Sequence, residues 1–344
     1  AGAGDVNGDG RDDLLVGAKG EAGGGAAYLL FGTSAELPSM SLASADLRFD
    51  GSPYYALGQV VSSAGDFNDD GYADILVMAP SAGGWEDMGR VYLMYGSGAV
   101  EQSGLSVAVA LSGGNQGLGT MSSVGDVDGD GFDDVLVGEG PQVVNLWMGT
   151  DQPVDINVGD IRVQYTGEGQ DGCPGSSLSA AGDVDDDGYD DYLIGDSCQQ
   201  KESGAAYLVL GSTEPVGMSL SGSFARFAGE NSGDLAGSSV AGAGDVNGDL
   251  RPDMLVGAPL YSNTSHLRCG AAYLILGPVA GTHSLSMADA MFSGEDDLTY
   301  ASSDVSGVGD HNGDGIDDFV MGAYGESSVA YWAGAVFFVS GSNL

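Results

Sequence analysis

Basic residues are scarce in this chain. Only 9 of its 344 residues are Lys or Arg, against 50 Asp and Glu, so the formal net charge at pH 7 is −41. A surface this acidic repels the phosphates of nucleic acids and of anionic lipids. Both are therefore excluded as electrostatic partners, and cations or cationic ligands are favoured.

Long apolar runs and the usual catalytic residue types are also lacking. No run of eighteen apolar residues occurs, so the sequence predicts no membrane insertion. The three histidines lie in unrelated contexts, and no G-x-S-x-G elbow leads from a strand into a helix. We therefore predict no catalytic residues and no enzymatic activity.

Aspartate, in contrast, is abundant and repeats in a fixed pattern. Six loops read D-x-(D/N)-x-D-G-x-x-D, with one exception at the glycine, and each runs directly into a short apolar segment. Oxygen-bearing side chains at positions 1, 3, 5 and 9, with a glycine for the sharp turn, suit a hard cation that binds oxygen alone. The pattern predicts about six Ca²⁺ ions.

We take positions 1, 3, 5, 7 and 9 of each loop as the predicted metal ligands. These positions are Asp5, Asn7, Asp9, Arg11 and Asp13; Asp66, Asn68, Asp70, Tyr72 and Asp74; Asp126, Asp128, Asp130, Phe132 and Asp134; Asp183, Asp185, Asp187, Tyr189 and Asp191; Asp245, Asn247, Asp249, Arg251 and Asp253; and Asp310, Asn312, Asp314, Ile316 and Asp318.

The loops recur about every sixty residues, which is typical of blades or solenoid coils. Each loop is followed by a run such as LLVGA (14–18) or MLVGA (254–258), which is short, apolar and without a helical period. These runs predict buried strands. An EF-hand would instead continue into an amphipathic helix and carry Glu at position 12.

Each repeat offers four antiparallel strands, with the aspartate loop between the first and the second. Four-stranded sheets repeated in this way predict an all-β fold, a β-propeller of about six blades, with seven as the alternative. We expect one propeller domain over residues 1–344, with blades near 1–49, 50–111, 112–166, 167–227, 228–292 and 293–344.

The segment SSVAGAGDVNGDLRPDMLVGAP (238–259), followed by GAAYLILG (270–277), resembles the FG-GAP repeat of the integrin α-subunit propeller and its bacterial homologues. The resemblance covers nearly the whole chain. It implies that the innermost strand precedes the metal loop, that calcium lies on one rim, and that ligands bind on the other. It also implies an extracellular or cell-surface location, in a bacterial protein.

Two features depart from the simple pattern. Leu250 stands where the fifth loop should have glycine, so we expect this site to be the weakest. The first repeat opens inside its innermost strand and the last ends after its third strand. We therefore expect a fragment of a larger protein, with a closing segment upstream of Ala1.

The three cysteines have different predicted states. Cys173 and Cys198 flank the fourth hairpin nearly symmetrically, so they should face each other across neighbouring strands and form a disulfide. Cys269 has no such counterpart and is expected to be a free thiol. A disulfide, together with calcium loops of this kind, fits an extracellular, millimolar-calcium environment.

The loops on the rim away from the calcium differ from blade to blade and carry exposed aromatics, acids and an occasional Arg. We predict ligand binding by Trp85, Glu86, Tyr261 and Arg268. Two functions remain open: an adhesion propeller that binds a protein or carbohydrate ligand, and a hydrolase, lyase or enzyme-accessory domain with an acidic rim site. Because residue types suited to catalysis are scarce, the sequence favours adhesion.

Overall fold

Six small β-sheets account for nearly all the regular structure of the chain. The computed structural model describes residues 1–34, 39–83, 88–98, 107–114, 117–140, 142–169, 171–327 and 332–342. The fold is all-β, a β-propeller of six blades, as the sixty-residue repeat predicts.

The first three sheets follow the chain order closely. Their strands are β1 (Gly2–Gly4), β2 (Asp13–Ala18), β3 (Ala26–Leu30) and β4 (Leu47–Asp50); β5 (Val61–Gly65), β6 (Asp74–Gly83), β7 (Met88–Met94) and β8 (Val107–Ser112); and β9 (Leu118–Gly125), β10 (Asp134–Glu139), β11 (Val143–Trp147) and β13 (Val163–Thr166). The short strand β12 (Ile156–Asn157) lies between β11 and β13 in the sequence but joins the second sheet.

The last three sheets repeat this arrangement. Their strands are β14 (Pro174–Gly182), β15 (Asp191–Asp196), β16 (Ala205–Val209) and β18 (Ala225–Ala228); β19 (Ser239–Gly244), β20 (Asp253–Ala258), β21 (Ala271–Ile275) and β23 (Ala290–Ser293); and β24 (Ala301–Gly309), β25 (Asp318–Ala323) and β26 (Ala335–Val339). Two short strands, β17 (Met218–Ser219) and β22 (Gly281–Ser284), join the third and fourth sheets.

The chain divides into two compact units, each with its own hydrophobic clusters. One unit contains Ala1–Asp126, Asp130–Gly140 and Asn145–Val163, and the other contains Val127–Gly129, Pro141–Val144 and Gln164–Leu344. The second and third strands of the sheets supply most of the core: every residue of β20 and β21 is buried. Each fully buried Leu, Val or Ile side chain stabilises the fold by about 1.5–3 kcal/mol.

In the last three sheets the first strand is rich in small residues, because these strands lie very close together. A Cβ atom on Gly242 of β19 would lie 2.8 Å from the carbonyl oxygen of Ala180 in β14. A Cβ on Gly307 of β24 would lie 2.6 Å from the carbonyl oxygen of Gly242. Larger side chains here would force the strands apart.

The prediction of four strands per blade is incomplete. Three sheets gain a fifth, short strand that pairs in parallel with the outermost strand: β12 with β8, β17 with β13 and β22 with β18. Each fifth strand comes from the next repeat, just before that repeat's own outermost strand. Such pairing joins consecutive blades through backbone hydrogen bonds, a contact that periodicity within one repeat cannot reveal.

The predicted disulfide is present. Cys173 and Cys198 are bonded, with their Cα atoms 5.4 Å apart, and Cys269 is a buried free thiol. The bridge fixes the segment before β14 to the end of β15. Within the described part of the chain, no helix has the length and apolar character needed to cross a bilayer.

Candidate metal centres

Each aspartate loop connects the first strand of a sheet to the second, as predicted. The ninth residue of the loop is always the first residue of that second strand: Asp13, Asp74, Asp134, Asp191, Asp253 and Asp318. The loop geometry is therefore repeated on six similar hairpins.

The first Asp of each loop is oriented by two backbone donors. In the fourth loop, Asp183 accepts hydrogen bonds from the N–H of Asp187 (3.0 Å) and of Gly188 (2.8 Å), one on each oxygen. The other loops repeat both bonds, with these donor pairs: Asp9 and Gly10, Asp70 and Gly71, Asp130 and Gly131, Asp249 and Leu250, Asp314 and Gly315. In the fifth and sixth loops Oδ1 of the first Asp accepts a second N–H, from Gly248 or Gly313, whereas Oδ2 accepts a single bond there and keeps a lone pair for a cation.

The ninth Asp is buried and ties the loop to the third strand. Asp191 is fully buried, and its two oxygens accept hydrogen bonds from the N–H of Val184 and of Gly211, both at 2.8 Å. Gly211 follows the third strand, β16. Equivalent donor pairs reach the ninth Asp in four other loops: Val6 and Gly32, Phe67 and Gly96, Val246 and Gly277, His311 and Gly341.

Burial and neighbouring carboxylates disfavour the charged form of several ninth-position acids. Burial, with a contribution from loop carboxylates, raises the pKa of Asp74 to about 8, of Asp191 to about 7 and of Asp253 to about 6. Asp318 differs, because hydrogen bonds from Gly341 and other donors outweigh its burial and lower its pKa. A bound cation would favour the ionised form at every loop.

The side chain at position 3 makes different hydrogen bonds in the sixth loop from those in the other loops with Asn there. In three loops with Asn at this position, its Oδ1 accepts the N–H of the fifth residue, as Asn68 does from Asp70 at 3.0 Å. In the sixth loop, Asn312 instead donates through Nδ2 to Asp318 (3.3 Å) and Ser340 (2.7 Å). This difference could not be predicted from the loop's own sequence, because Ser340 lies 28 residues further along the chain.

The residues fit a cation bound by oxygen. Oxygens of Asp183, Asp185 and Asp191 lie within 4.8 Å of one another, and so do those of a second group of three, Asp126, Asp128 and Asp130. Asp185 Oδ1 is buried and has no hydrogen-bond partner, so this lone-pair donor is left for a cation. An all-oxygen, carboxylate-rich set matches Ca²⁺ in preference to softer metals.

The eighth residue of some loops connects the loop to its predecessor. Asp133 accepts a hydrogen bond from the N–H of Asp66 at 2.7 Å, and Asp317 accepts one from the N–H of Asp245 at 2.9 Å. Each donor is the first residue of the preceding loop. A change in one loop can therefore reach the next through a single hydrogen bond.

The sixth residue of every loop has left-handed backbone geometry. Gly188 has φ of 93°, and Leu250 of the fifth loop has φ of 71°. Leu250 thus adopts the left-handed conformation that glycine has in the other five loops, and its side chain is 90% exposed. A non-glycine residue in this conformation costs about 1–2 kcal/mol, and exposure leaves no compensating burial.

Of the four predicted ligand-binding residues, the structure describes Tyr261 and Arg268. Trp85 and Glu86 fall outside the described residues. Tyr261 is half-buried and packs edge-on against Tyr273, with ring centroids 6.3 Å apart, whereas Arg268 is exposed. Tyr261 therefore packs against a buried side chain while part of its own surface stays exposed to solvent.

A more exposed group surrounds Arg268, and we call it the aromatic patch: Leu267, Arg268, Leu298, Tyr324 and Trp332. Leu267, Leu298, Tyr324 and Trp332 are 40–66% exposed. The rings of Tyr324 and Trp332 are 5.9 Å apart, and the N–H of Leu298 donates to Leu267. Sequence reasoning missed Trp332 and both leucines, since only the fold brings these three loops together.

Comparison with known proteins identifies the repeat. The FG-GAP repeat profile matches residues 1–30 and 236–272, and the related FG-GAP-like repeat profile matches residues 65–137. The chain carries FG-GAP repeats in these segments. The predicted resemblance to integrin α propellers is confirmed, because the aspartate loops of the first, second, third and fifth sheets lie inside the matched segments.

Individual relatives of this FG-GAP chain are much longer than the part they share with it. Integrin α-4 of Xenopus laevis is 34% identical over 40% of this chain and 14% of its own length, and integrin α-3 of Cricetulus griseus is 36% identical over 39% and 13%. Phosphatidylinositol-glycan-specific phospholipase D of Mus musculus is 34% identical over 39% and 17%. A solved BBS1N–ARL6DN complex matches 96% of this chain and 76% of its own, with a TM-score of 0.48 and 10% identity.

We predict that replacing Leu250 by Gly stabilises this FG-GAP protein. The substitution removes left-handed strain, while the more flexible unfolded chain offsets part of the gain, so the free energy of unfolding should rise by up to about 1 kcal/mol in urea denaturation. The matched control is Leu267→Gly, at an exposed leucine outside the positive-φ set, which should destabilise by about 0.4–1 kcal/mol. Equal destabilisation by both variants would contradict the strain.

We also predict that pH has opposite effects on the melting temperature without calcium and on the increase in melting temperature that calcium causes. Without it, the raised pKa values of Asp74, Asp191 and Asp253 mean that the folded state binds protons more tightly than the unfolded state. The melting temperature in EDTA should therefore fall as pH rises from about 4 to about 8. The increase caused by added Ca²⁺ should grow over the same range, because ligands must be ionised. Rising apo stability over this window would refute the assignment.

Proposed function

We propose that this protein is a calcium-stabilised recognition propeller of an extracellular adhesion system, which binds a protein ligand through the aromatic patch. The similarity to integrin α-subunits supports the adhesion role. The six aspartate loops support the calcium requirement, and their position at one end of the strands leaves the other end for recognition.

The exposed aromatic patch is the observation that carries the binding proposal. Trp, Tyr and Arg are the residue types that dominate binding energy at protein interfaces. Trp332 is 47% exposed and Tyr324 is 50% exposed. Tyr324 stacks on the buried Tyr300, with ring centroids 4.8 Å apart and planes within 8° of parallel. This support holds Tyr324 in place before binding, which lowers the entropic cost of association.

Backbone bonds fix the rest of the patch. The N–H of Tyr300 donates to the carbonyl oxygen of Arg268 at 3.2 Å, and the N–H of Leu298 donates to that of Leu267 at 2.9 Å. Two loops are thus held edge to edge, with two exposed leucines and a guanidinium beside the aromatic rings. A rigid scaffold with loop-borne anchors is typical of recognition sites.

Calcium would act on this surface indirectly. Each Ca²⁺ that binds the folded state stabilises it by mass action, and the ninth Asp of each loop joins the metal site to the third strand. We propose about six such ions, with the predicted ligands given above. Removing them would loosen the sheets that position the patch.

The enzyme alternative rests on one similarity. Phosphatidylinositol-glycan-specific phospholipase D shares 34% identity with this chain, over 17% of its own length. The carboxylates of the aspartate loops are taken up by backbone hydrogen bonds and by the proposed metal. Adhesion therefore remains the better-supported function, with the enzyme or accessory role as the alternative.

The test is binding of the calcium-loaded protein to arrays of purified cell-surface and matrix proteins and to a glycan array. We expect a protein ligand, and Trp332→Ala and Tyr324→Ala should each weaken its binding at least tenfold. Because both side chains contact neighbouring aromatic rings, each variant should lower the free energy of unfolding by about 0.5–1.5 kcal/mol, so binding is compared under conditions in which every variant is folded. Tyr54→Ala is the matched control, since Tyr54 is an aromatic residue outside the patch and 93% exposed.

Other outcomes would redirect the proposal. If Tyr54→Ala weakens binding as much as the patch variants do, the patch is not the site. Binding to glycans alone would replace the protein ligand by a carbohydrate. Turnover of a phosphodiester substrate by the purified protein would favour the enzyme alternative.

A further inference from the structure

The eighth residue of the third loop lies between two predicted metal ligands and also contacts the loop before it. Asp133 follows Phe132 and precedes Asp134, which are positions 7 and 9 of its own loop. Its backbone N–H donates to the carbonyl oxygen of Asp66 at 3.2 Å, and its Oδ2 accepts the N–H of Asp66 at 2.7 Å. Both backbone groups of the first ligand in the second loop are thus bonded to one residue of the third loop.

The fifth and sixth loops repeat this two-bond bridge. The N–H of Asp317 donates to the carbonyl oxygen of Asp245 at 3.0 Å, and Asp317 Oδ2 accepts the N–H of Asp245 at 2.9 Å. Asp317 lies between Ile316 and Asp318, which are positions 7 and 9 of the sixth loop. The same arrangement therefore occurs once in each compact unit of the chain.

The space beside each bridge fits the carboxylate closely. Gly65 comes directly before the first ligand of the second loop, and a Cβ atom on it would lie 2.0 Å from Asp133 Oδ2. Gly244 has the same place before the fifth loop, and a Cβ atom on it would lie 2.1 Å from Asp317 Oδ2. Both distances are far below van der Waals contact, so only glycine before the first ligand leaves room for the carboxylate.

Two other pairs of consecutive loops lack the carboxylate. The eighth residue of the second loop is Ala73, whose N–H donates to the carbonyl oxygen of Asp5 at 3.1 Å but whose methyl side chain accepts no hydrogen bond. The eighth residue of the fifth loop is Pro252, which has neither a backbone N–H nor a side-chain acceptor. Through this position, the first and second loops therefore share one bond, and the fourth and fifth share none.

The two-bond bridge links the ordering of one loop to the ordering of the next. The side chain of Asp66 is oriented within its own loop by the N–H groups of Asp70 and Gly71. Asp133 holds the backbone of Asp66, and a cation in the third loop would hold Asp133 through the ligands on either side of it. An ion entering the second loop then meets ligands that are already ordered, so its entropic cost is lower and binding is cooperative.

We propose that Asp133 and Asp317 are positioning residues for the calcium sites of the loops that precede their own. The second and third loops then bind Ca²⁺ as one cooperative pair, and the fifth and sixth loops bind it as another. This pairing rests on the proposed calcium sites and adds which of them depend on each other. The first and fourth loops, which lack a carboxylate bridge from the loop that follows, fill independently of that loop.

The test is a Ca²⁺ titration of the full chain by nuclear magnetic resonance, starting from EDTA-treated protein below its melting temperature. The sixth residue of each loop donates its N–H to the first Asp, so its amide signal reports that loop. The reporters for the second, third, fifth and sixth loops are Gly71, Gly131, Leu250 and Gly315. We expect Gly71 and Gly131 to shift together with a Hill coefficient above 1, and Leu250 and Gly315 to do the same.

The fourth and fifth loops provide the internal comparison. Gly188 reports the fourth loop, because its N–H donates to Asp183 at 2.8 Å. Since Pro252 provides no bridge between these loops, Gly188 and Leu250 should shift with separate midpoints.

Variants at residue 133 test the bridge itself. Asp133→Ala removes the acceptor, so Ca²⁺ binding reported by Gly71 should weaken at least about fivefold and its transition should separate from that of Gly131. Asp133→Asn keeps an acceptor oxygen and should restore the joint transition, which a role of the charge alone would not allow. Asp12→Ala is the matched control, because Asp12 is the exposed eighth residue of the first loop, and it should leave the Gly71 and Gly131 transitions together.

The reciprocity of linkage gives a second measurement. Asp126→Asn weakens the third site directly, and it should also weaken Ca²⁺ binding at the second site by the coupling factor. Asp66→Asn should weaken the third site by the same factor. In chains that also carry Asp133→Ala, neither substitution should affect the other loop.

Three results would overturn the pairing: separate Gly71 and Gly131 transitions in the wild type, a joint transition that survives Asp133→Ala, or equal effects of Asp133→Ala and Asp12→Ala. The outcome for the calcium sites themselves is distinguishable. If no loop amide responds to Ca²⁺, the proposed sites fail together with their pairing. If every loop amide responds with its own midpoint, the sites stand and only the coupling fails.

Discussion

The crowding of carboxylates in nine-residue loops is the constraint on which this structure depends. Two like charges about 4 Å apart near a protein surface repel by about 4 kcal/mol, and each loop brings several together. Backbone N–H groups orient the first and ninth Asp, yet burial, with a smaller contribution from the carboxylates of Asp70 and Asp66, still raises the pKa of Asp74 to about 8. A divalent cation at each loop would relieve this repulsion, and an oxygen-only ligand set fits Ca²⁺.

The same loops connect the parts of the fold. The ninth Asp joins the loop to the third strand, as Asp191 does through Gly211, and the eighth residue reaches the preceding loop, as Asp317 does at Asp245. The proposed metal sites and the contacts between neighbouring sheets therefore lie together at one end of the strands. The loops at the other end of the strands do not take part in these contacts, and they differ from one another in length and chemistry. There the aromatic patch is held by the stacked pair of Tyr300 and Tyr324.

Much of the fold can be predicted from the sequence, because each sequence pattern that indicates it lies within a single repeat. The Asp spacing, the apolar run after each loop and the small residues of the first strands lie within one repeat, and Leu250 was recognised from its position alone. What the sequence did not reveal depends on contacts between distant residues. The parallel pairing of β22 with β18, the rotated side chain of Asn312 and the place of Trp332 in the patch all require knowing which segments meet.

Counting bound calcium while following stability tests the central claim most directly. The protein is dialysed at increasing free Ca²⁺, the ions are counted by elemental analysis, and melting is recorded on the same samples. We predict about six ions per chain, a melting temperature that rises as they bind, and the last occupancy at the fifth loop, with its strained Leu250, and at the sixth, with its altered Asn312. A chain that binds no calcium, or whose melting temperature is the same in EDTA and in excess Ca²⁺, would contradict the account.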